Sequence, residues 1–344
     1  MPSTRASDRA VSKISSASTS ASTSTPLLAI QRLSVSYASP EGRTAAVHDF
    51  TLDIAPGECV GIVGESGAGK SQSFLAVMGL LAGNAAVSGH AIFEGTDLLR
   101  GSKGDINRVR GARIAMIFQD PMTSLTPHMR VGKQIAESLR QHRGMGRQDA
   151  MAKALSLLRR VHVSDAERRL HQYPHELSGG MRQRVMIAIA LACDPVMLIA
   201  DEPTTALDVT IQAQILALLA ELKREQGMAM AFVTHDLGVI AGIADRVAVM
   251  YSGRIVELGT VREVLKSPRH PYTQALLRSM PRIDQTAAEA LCTIKGQPPN
   301  PRYLPPGCAF APRCDLHGER CDVVRPELRV LGRSQTACHY AEAP

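Results

Sequence analysis

Residues 64–71, Gly64-Glu65-Ser66-Gly67-Ala68-Gly69-Lys70-Ser71, satisfy G-x-x-x-x-G-K-[ST] at every fixed position, and nothing else in the chain restricts its fold as tightly. The glycines permit a backbone curled closely enough for its N–H groups to surround an anion with no Cβ in the way. Lys70 can reach the far end of a phosphate chain, and Ser71 offers a hydroxyl to Mg²⁺. A helix starting here turns its positive end toward the same charge. The apolar run at 60–63 predicts a buried strand, and the run at 74–78 predicts a helix. Strand, loop and helix in that order form the setting a phosphate-binding loop requires; a glycine-rich turn with an incidental lysine needs no such flanks.

The chain has room for one large or two medium domains. Its longest apolar runs are the size of strands or short helices, well below the roughly 20 residues of a bilayer span, so work at a membrane would require membrane partners. A net charge of +7 admits nucleic acid or an anionic lipid surface. However, Lys and Arg are scattered, and pairs such as Arg159-Arg160 and Arg168-Arg169 read as solvated helix faces. With 3% aromatic residues and no Trp, little is available to stack on bases, and no nucleic-acid partner is expected.

Residues 1–26 are rich in Ser, Thr and Ala and lack the apolar core of a secretory signal. They predict a disordered tail, although the composition also fits an organellar transit peptide. Short strands are expected at 28–30, 33–37 and 45–54, and again near 91–93 and 114–118. From about 131 to 171, apolar positions such as Ala154, Leu155, Leu157, Leu158 and Val161 recur at helical spacing. A helix opens after Leu177. The wholly apolar run at 196–200 then delivers Asp201-Glu202 at a strand end, and a helix (210–226) and strand (228–233) lead to His235. This alternation predicts an α/β fold around a parallel sheet.

Five companions accompany the phosphate loop in one order: Tyr37, Gln119, Leu177-Ser178-Gly179-Gly180, Asp201-Glu202 and His235. Together they resemble the nucleotide-binding subunit of an ATP-binding cassette (ABC) transporter, over about residues 28–280. A tighter resemblance, to the dipeptide and oligopeptide permease ATPases, rests on Phe118-Gln119-Asp120-Pro121-Met122-Thr123-Ser124-Leu125, on Tyr173-Pro174-His175-Glu176 before the Leu-Ser-Gly-Gly run and Met181-Arg182-Gln183-Arg184 after it, on Asp201-Glu202-Pro203-Thr204-Thr205-Ala206-Leu207-Asp208, and on His270-Pro271-Tyr272-Thr273. Thr126 departs from the pattern, which more often has Asn.

The resemblance implies an ABC-type P-loop core with an antiparallel β-subdomain, a helical subdomain (about 119–182) within an ATPase domain (27–280), and a small Cys-containing extension (281–344). It implies ATP and Mg²⁺ as ligands. Gly64, Glu65, Ser66, Gly67, Ala68, Gly69, Lys70 and Ser71 would hold the phosphates, and Tyr37 would stack on adenine. Ser71, Gln119 and Asp201 would hold Mg²⁺, Glu202 would accept the proton of the attacking water, and His235 would contact the γ-phosphate. Read locally, Tyr37 could equally pack in a core, and adjacent carboxylates can cap a helix. Ser178, Gly179 and Gly180 would close over ATP held by a second ATPase subunit, and Asp208 would lie between the two sites. Further expected partners are two transmembrane permease subunits and a solute-binding protein, with the chain peripheral at the cytoplasmic face of the plasma membrane.

Of seven cysteines, Cys308, Cys314, Cys321 and Cys338 fall near the C-terminal end. Cys59 and Cys193 read as small core residues. The four thiols lack tight C-x-x-C pairs, which disfavours a zinc ribbon. The run 305–314 resembles the extension of the same ATPases, some of which hold a four-iron, four-sulfur (4Fe–4S) cluster on four cysteines; zinc or no metal stay open.

The resemblance implies ATP-driven peptide import. The same role for nickel, glutathione or another small solute is the alternative. A DNA-associated ABC ATPase would carry a long coiled coil or zinc insertion between phosphate loop and signature, absent in the hundred or so residues here. A two-cassette, ribosome-associated protein would need a second phosphate loop.

Overall fold

The structure, a computed structural model, describes residues 25–205, 207–280 and 293–342. Most of the expected N-terminal tail, Ala206, Cys292 and the start of the extension lie outside the described residues.

In chain order the elements are β1 (Leu28–Ser39), β2 (Gly42–Ile54), β3 (Cys59–Val63), α1 (Lys70–Val77), β4 (Ala85–Phe93), β5 (Thr96–Asp97), α2 (Lys103–Val109), β6 (Ile114–Ile117), α3 (Pro121–Ser124), α4 (Val131–Arg143), α5 (Arg147–Arg160), α6 (Ala166–Arg169) and α7 (Gly179–Leu191). They continue with β7 (Met197–Asp201), α8 (Val209–Gln226), β8 (Ala229–Thr234), α9 (Leu237–Ala241), β9 (Arg246–Tyr251), β10 (Arg254–Thr260), α10 (Val261–Lys266), α11 (Pro271–Arg278), α12 (Arg320–Val323), β11 (Arg329–Leu331) and β12 (Ser334–Thr336).

The main sheet has the order β11-β12-β10-β9-β3-β8-β7-β6. From β9 to β6 its strands are parallel. Every residue of β3, β7 and β8 is buried, as expected of parallel strands covered on both faces. Their side chains alternate between two apolar layers. Val60, Ile62, Met197, Ile199, Ala229 and Ala231 pack with α1 and the small antiparallel sheet. Cys59, Val63, Leu198, Ala200, Met230 and Phe232 pack with the helices, including Ala154, Leu157 and Leu158 of α5. Each large side chain buried this way contributes roughly 1.5–3 kcal/mol. Polar side chains enter β7 and β8 only at their last residues, Asp201 and Thr234. That end of an open α/β sheet is where ligands bind.

The second sheet is antiparallel, in the order β2-β1-β4-β5. The sequence pattern breaks into runs at 28–30 and 33–37, yet the structure makes one strand of them. At Arg32 the backbone turns left-handed (φ 51°) and the register slips, so a bulge absorbs the break.

A second difference concerns the C-terminal tail. Rather than hanging from the core, it returns through β12, which pairs antiparallel with β10 (Glu257 with Thr336, Leu258 with Gln335), and β11 pairs with β12. Strands of three residues carry too little alternation to be seen in a sequence.

Candidate nucleotide site

Four neighbouring strands deliver the sequence motifs to one edge of the sheet. β3 leads into the phosphate loop, β8 into His235, β7 into Asp201-Glu202 and β6 into Gln119. The loop passes directly into α1, with Gly69 at the helix cap in a left-handed conformation (φ 94°).

Lys70 is buried, its Nζ donating to the carbonyls of Gly64 (2.7 Å) and Glu65 (3.1 Å). Burial lowers its pKa, opposed by the nearby charges of Glu202, Asp201 and Glu65. The Ser71 hydroxyl donates to Asp201 Oδ1 at 2.8 Å. Burial raises the pKa of the Asp201 carboxyl, and the Ser71 hydrogen bond pulls it back down.

Glu202 is the hub. Its backbone is left-handed (φ 46°), a conformation that costs a non-glycine residue about 1–3 kcal/mol, and its N–H donates to the Val233 carbonyl at 2.9 Å. Oε2 accepts from Gln119 Nε2 (3.0 Å) and from the Thr205 hydroxyl (2.9 Å), and His235 Nδ1 stands 3.3 Å away. Oε1 lies 3.9 Å from Lys70 Nζ. Gln119, Lys70, Thr205 and His235 thus gather on Glu202, and the Ser71–Asp201 pair sits one residue along each chain segment from Lys70 and Glu202. The local alternative for the carboxylate pair, a helix cap, does not occur; the cap of the next helix is Asp208.

Tyr37 is half-buried on β1, and its hydroxyl donates to the Gln72 side chain on α1. This places it beside the phosphate-loop helix. Ser178 caps α7, accepting from the Met181 N–H at 3.4 Å, with Gly179 and Gly180 as the first helical residues. Asp208 caps α8 through the Ile211 N–H (2.9 Å). A Cβ on Gly180 would come within 2.8 Å of Ile211, so the two helix starts are packed together. Among the described residues, no hydrogen bond or ion pair joins 178–180 or Asp208 to the phosphate loop or the hub.

Three residues with no role in the sequence reading also hold this site. Thr205 shares the hub. Tyr272, wholly buried on α11, accepts the Glu65 N–H at its hydroxyl (2.9 Å), and Arg313 of the extension pairs with the Glu65 carboxylate. Thr205 lies three residues after Glu202, a spacing that could have flagged it; Tyr272 and Arg313 are more than 200 residues from their partner and leave no local signal.

In the extension, Cys308, Cys314, Cys321 and Cys338 line one small cavity with His270 and Phe310. Burial raises the pKa of Cys308 and lifts that of Cys314 to about 11. Among the described residues, no group of three or more His, Cys, Asp or Glu is arranged to hold a single metal ion. His270 is kept neutral by burial, its pKa pushed down to about 4, and its Nδ1 accepts the Tyr272 N–H at 3.1 Å. Cys59 and Cys193 are buried core residues, the former with its thiol pushed up to about 12 by burial.

Comparison with known proteins bears on the family and the fold. Residues 47–205 match the family model described as ABC transporter, and residues 256–321 match the C-terminal region of oligopeptide/dipeptide transporters. The oligopeptide transport ATP-binding protein OppD of Haemophilus influenzae is 51% identical over 310 residues, covering 90% of this chain and 95% of that protein. The dipeptide transport ATP-binding protein DppD of Bacillus subtilis is 48% identical over 312 residues, covering 90% and 93%. A solved ATP-binding cassette, a dimer in a post-hydrolysis state bound to ADP and Pi, superposes with a TM-score of 0.62 at 28% identity, covering 68% of this chain and 99% of that one.

Proposed function

This chain belongs to the ATP-binding subunits of ABC transporters, in the oligopeptide/dipeptide branch, and from that premise we propose how its residues divide the work of ATP-driven peptide import. It is an ABC ATPase that energises the import of oligopeptides or dipeptides. The backbone of 64–71 and Lys70 hold the phosphates, and Tyr37 stacks on the adenine. Glu202 accepts the proton of the attacking water, with Gln119 and His235 holding base and water in line. The observation that carries this reading is the convergence of Gln119, Thr205 and His235 on one Glu202 carboxylate oxygen, with Lys70 at the other.

Ser71, Asp201 and Gln119 would hold Mg²⁺. The Ser71 and Asp201 oxygens already lie 2.8 Å apart, and this ion takes one or two carboxylates, with phosphates and waters completing the shell, in place of an all-protein cage. When bound, it neutralises charge developing on the phosphates.

Ser178, Gly179 and Gly180 meet a nucleotide on a partner cassette; the dimeric cassette among the similar structures supports that reading. Asp208, packed beside them, connects the two sites. Two transmembrane permease subunits and a solute-binding protein complete the importer, with this chain peripheral at the cytoplasmic face of the plasma membrane. No helix among the described residues is long and apolar enough to cross a membrane. The expected result is slow ATP hydrolysis by the chain alone and a steep rise when a second cassette and the permeases are supplied. Equal specific activity for dilute chain and assembled complex would overturn the shared site.

The four cysteines of the extension fit a 4Fe–4S cluster. All four line one small cavity, and four thiolates are the donor set such a cluster takes. Such a cluster would supply a four-point covalent staple. Anaerobically purified chain is expected to be brown, with absorbance near ~400 nm and about four irons per chain. Colourless, iron-free protein, or stoichiometric zinc, would reject it.

A further inference from the structure

Glu65, the second residue of the phosphate loop, is held at every polar group it has. Its carboxylate receives Arg313 Nη1 and Nη2 at 2.7 and 3.0 Å, a fork geometry that fixes orientation as well as charge. Its N–H donates to the Tyr272 hydroxyl, and its carbonyl accepts from Lys70 Nζ.

Arg313 is equally constrained, with only 4% of its side chain exposed. Nη1 also donates to the Tyr251 hydroxyl (3.2 Å) and Nε to the Lys295 carbonyl (2.9 Å). The guanidinium lies 5.9 Å from the Tyr251 ring centroid and 6.0 Å from that of Phe310. Arg313 ends a tight turn between two of the cavity cysteines, in which Ala311 donates to the Cys308 carbonyl and Cys314 donates to that of Ala311. The backbone that carries these thiols therefore also fixes the guanidinium.

A surface ion pair would contribute little, but here the guanidinium is sealed from solvent and the carboxylate is partly buried (26% exposed), so removing Arg313 leaves an unpaired negative charge beside the place where phosphate must enter. We propose that Arg313 is a positioning residue for the phosphate loop: by neutralising and orienting Glu65 it makes nucleotide affinity depend on the seating of the cysteine-bearing turn. This rests on the nucleotide-site reading above.

The test is binding of a fluorescent ATP analogue, with Mg²⁺, to the full-length chain, alongside thermal melting without nucleotide. Arg313→Met is expected to raise Kd about tenfold, equivalent to about 1.4 kcal/mol, and Arg313→Lys by less, because it restores charge without the fork. Glu65→Gln combined with Arg313→Met should bind no more weakly than Arg313→Met alone, since the stranded charge is gone. In the assembled importer the loss should appear in KM for ATP more than in kcat. A lowered melting temperature with unchanged Kd would mean a purely structural staple and overturn the proposal, as would additive effects in the double variant. Should Arg313→Met fail to fold, Arg313→Lys and Glu65→Gln decide by the same Kd readout. Wild-type chain that binds no analogue would sink the nucleotide site itself; wild-type binding with unaltered variants sinks only the role of Arg313.

Discussion

Replacing Glu202 by Gln is expected to cut ATP turnover by about 10²–10⁴-fold while leaving ATP binding close to that of the wild type. The amide keeps the size of the side chain and one oxygen, so Gln119 and Thr205 retain an acceptor, but the carboxylate proposed to take the proton is gone. Binding, on the proposed roles, depends on the loop at 64–71 with Lys70, which loses the 3.9 Å ion pair to Glu202 but keeps its hydrogen bonds to the Gly64 and Glu65 carbonyls. Phosphate release by the assembled importer, set against equilibrium nucleotide binding by the same variant, separates the two effects. Turnover near the wild-type rate would remove Glu202 from the reaction and leave its left-handed backbone without a functional reason.

Gly69→Ala should be strongly damaging, because it combines a backbone clash with a positive φ. Its φ of 94° is strained for any residue with a Cβ, and the added carbon would sit 2.4 Å from the Ala46 carbonyl oxygen, a backbone atom that cannot swing aside. Strain and overpacking together cost about 3 kcal/mol, which lowers the melting temperature by roughly 6–12 °C and pries the loop from its binding shape. Gly67→Ala is the control. It too has positive φ (80°), but nothing lies within 4 Å of its added carbon, so it should cost only about 1 kcal/mol. Melting curves that ranked the two equally would show that the close approach to Ala46 is not maintained in solution.

The parts of this site that a sequence exposes are those whose chemistry is compressed into short runs. The phosphate loop, Asp201-Glu202 after an all-apolar strand, and Gln119 and His235 at strand ends could each be named because the neighbouring residues declare a strand or a helix. Their convergence follows from the order of four adjacent parallel strands. Tyr272 and Arg313 were out of reach for the opposite reason. Each acts on Glu65 across more than 200 residues, through a contact created only when α11 and the extension pack beneath the loop. The bulge at Arg32 and the three-residue strands β11 and β12 were hidden because alternation, the signal that reveals a strand, is interrupted in the first and too brief in the others. The four cysteines were conspicuous as a set, but the sequence gives no hint that the turn carrying two of them also grips the phosphate loop.

The return of the chain through β12 bears on how such a subunit can be dissected. Cutting after the last helix of the ATPase core would strip the cover from β10 and leave its hydrogen-bonding groups open to any passing strand, an invitation to edge-to-edge aggregation. The apparent appendage is in this sense the selvedge of the fabric, without which the weave frays.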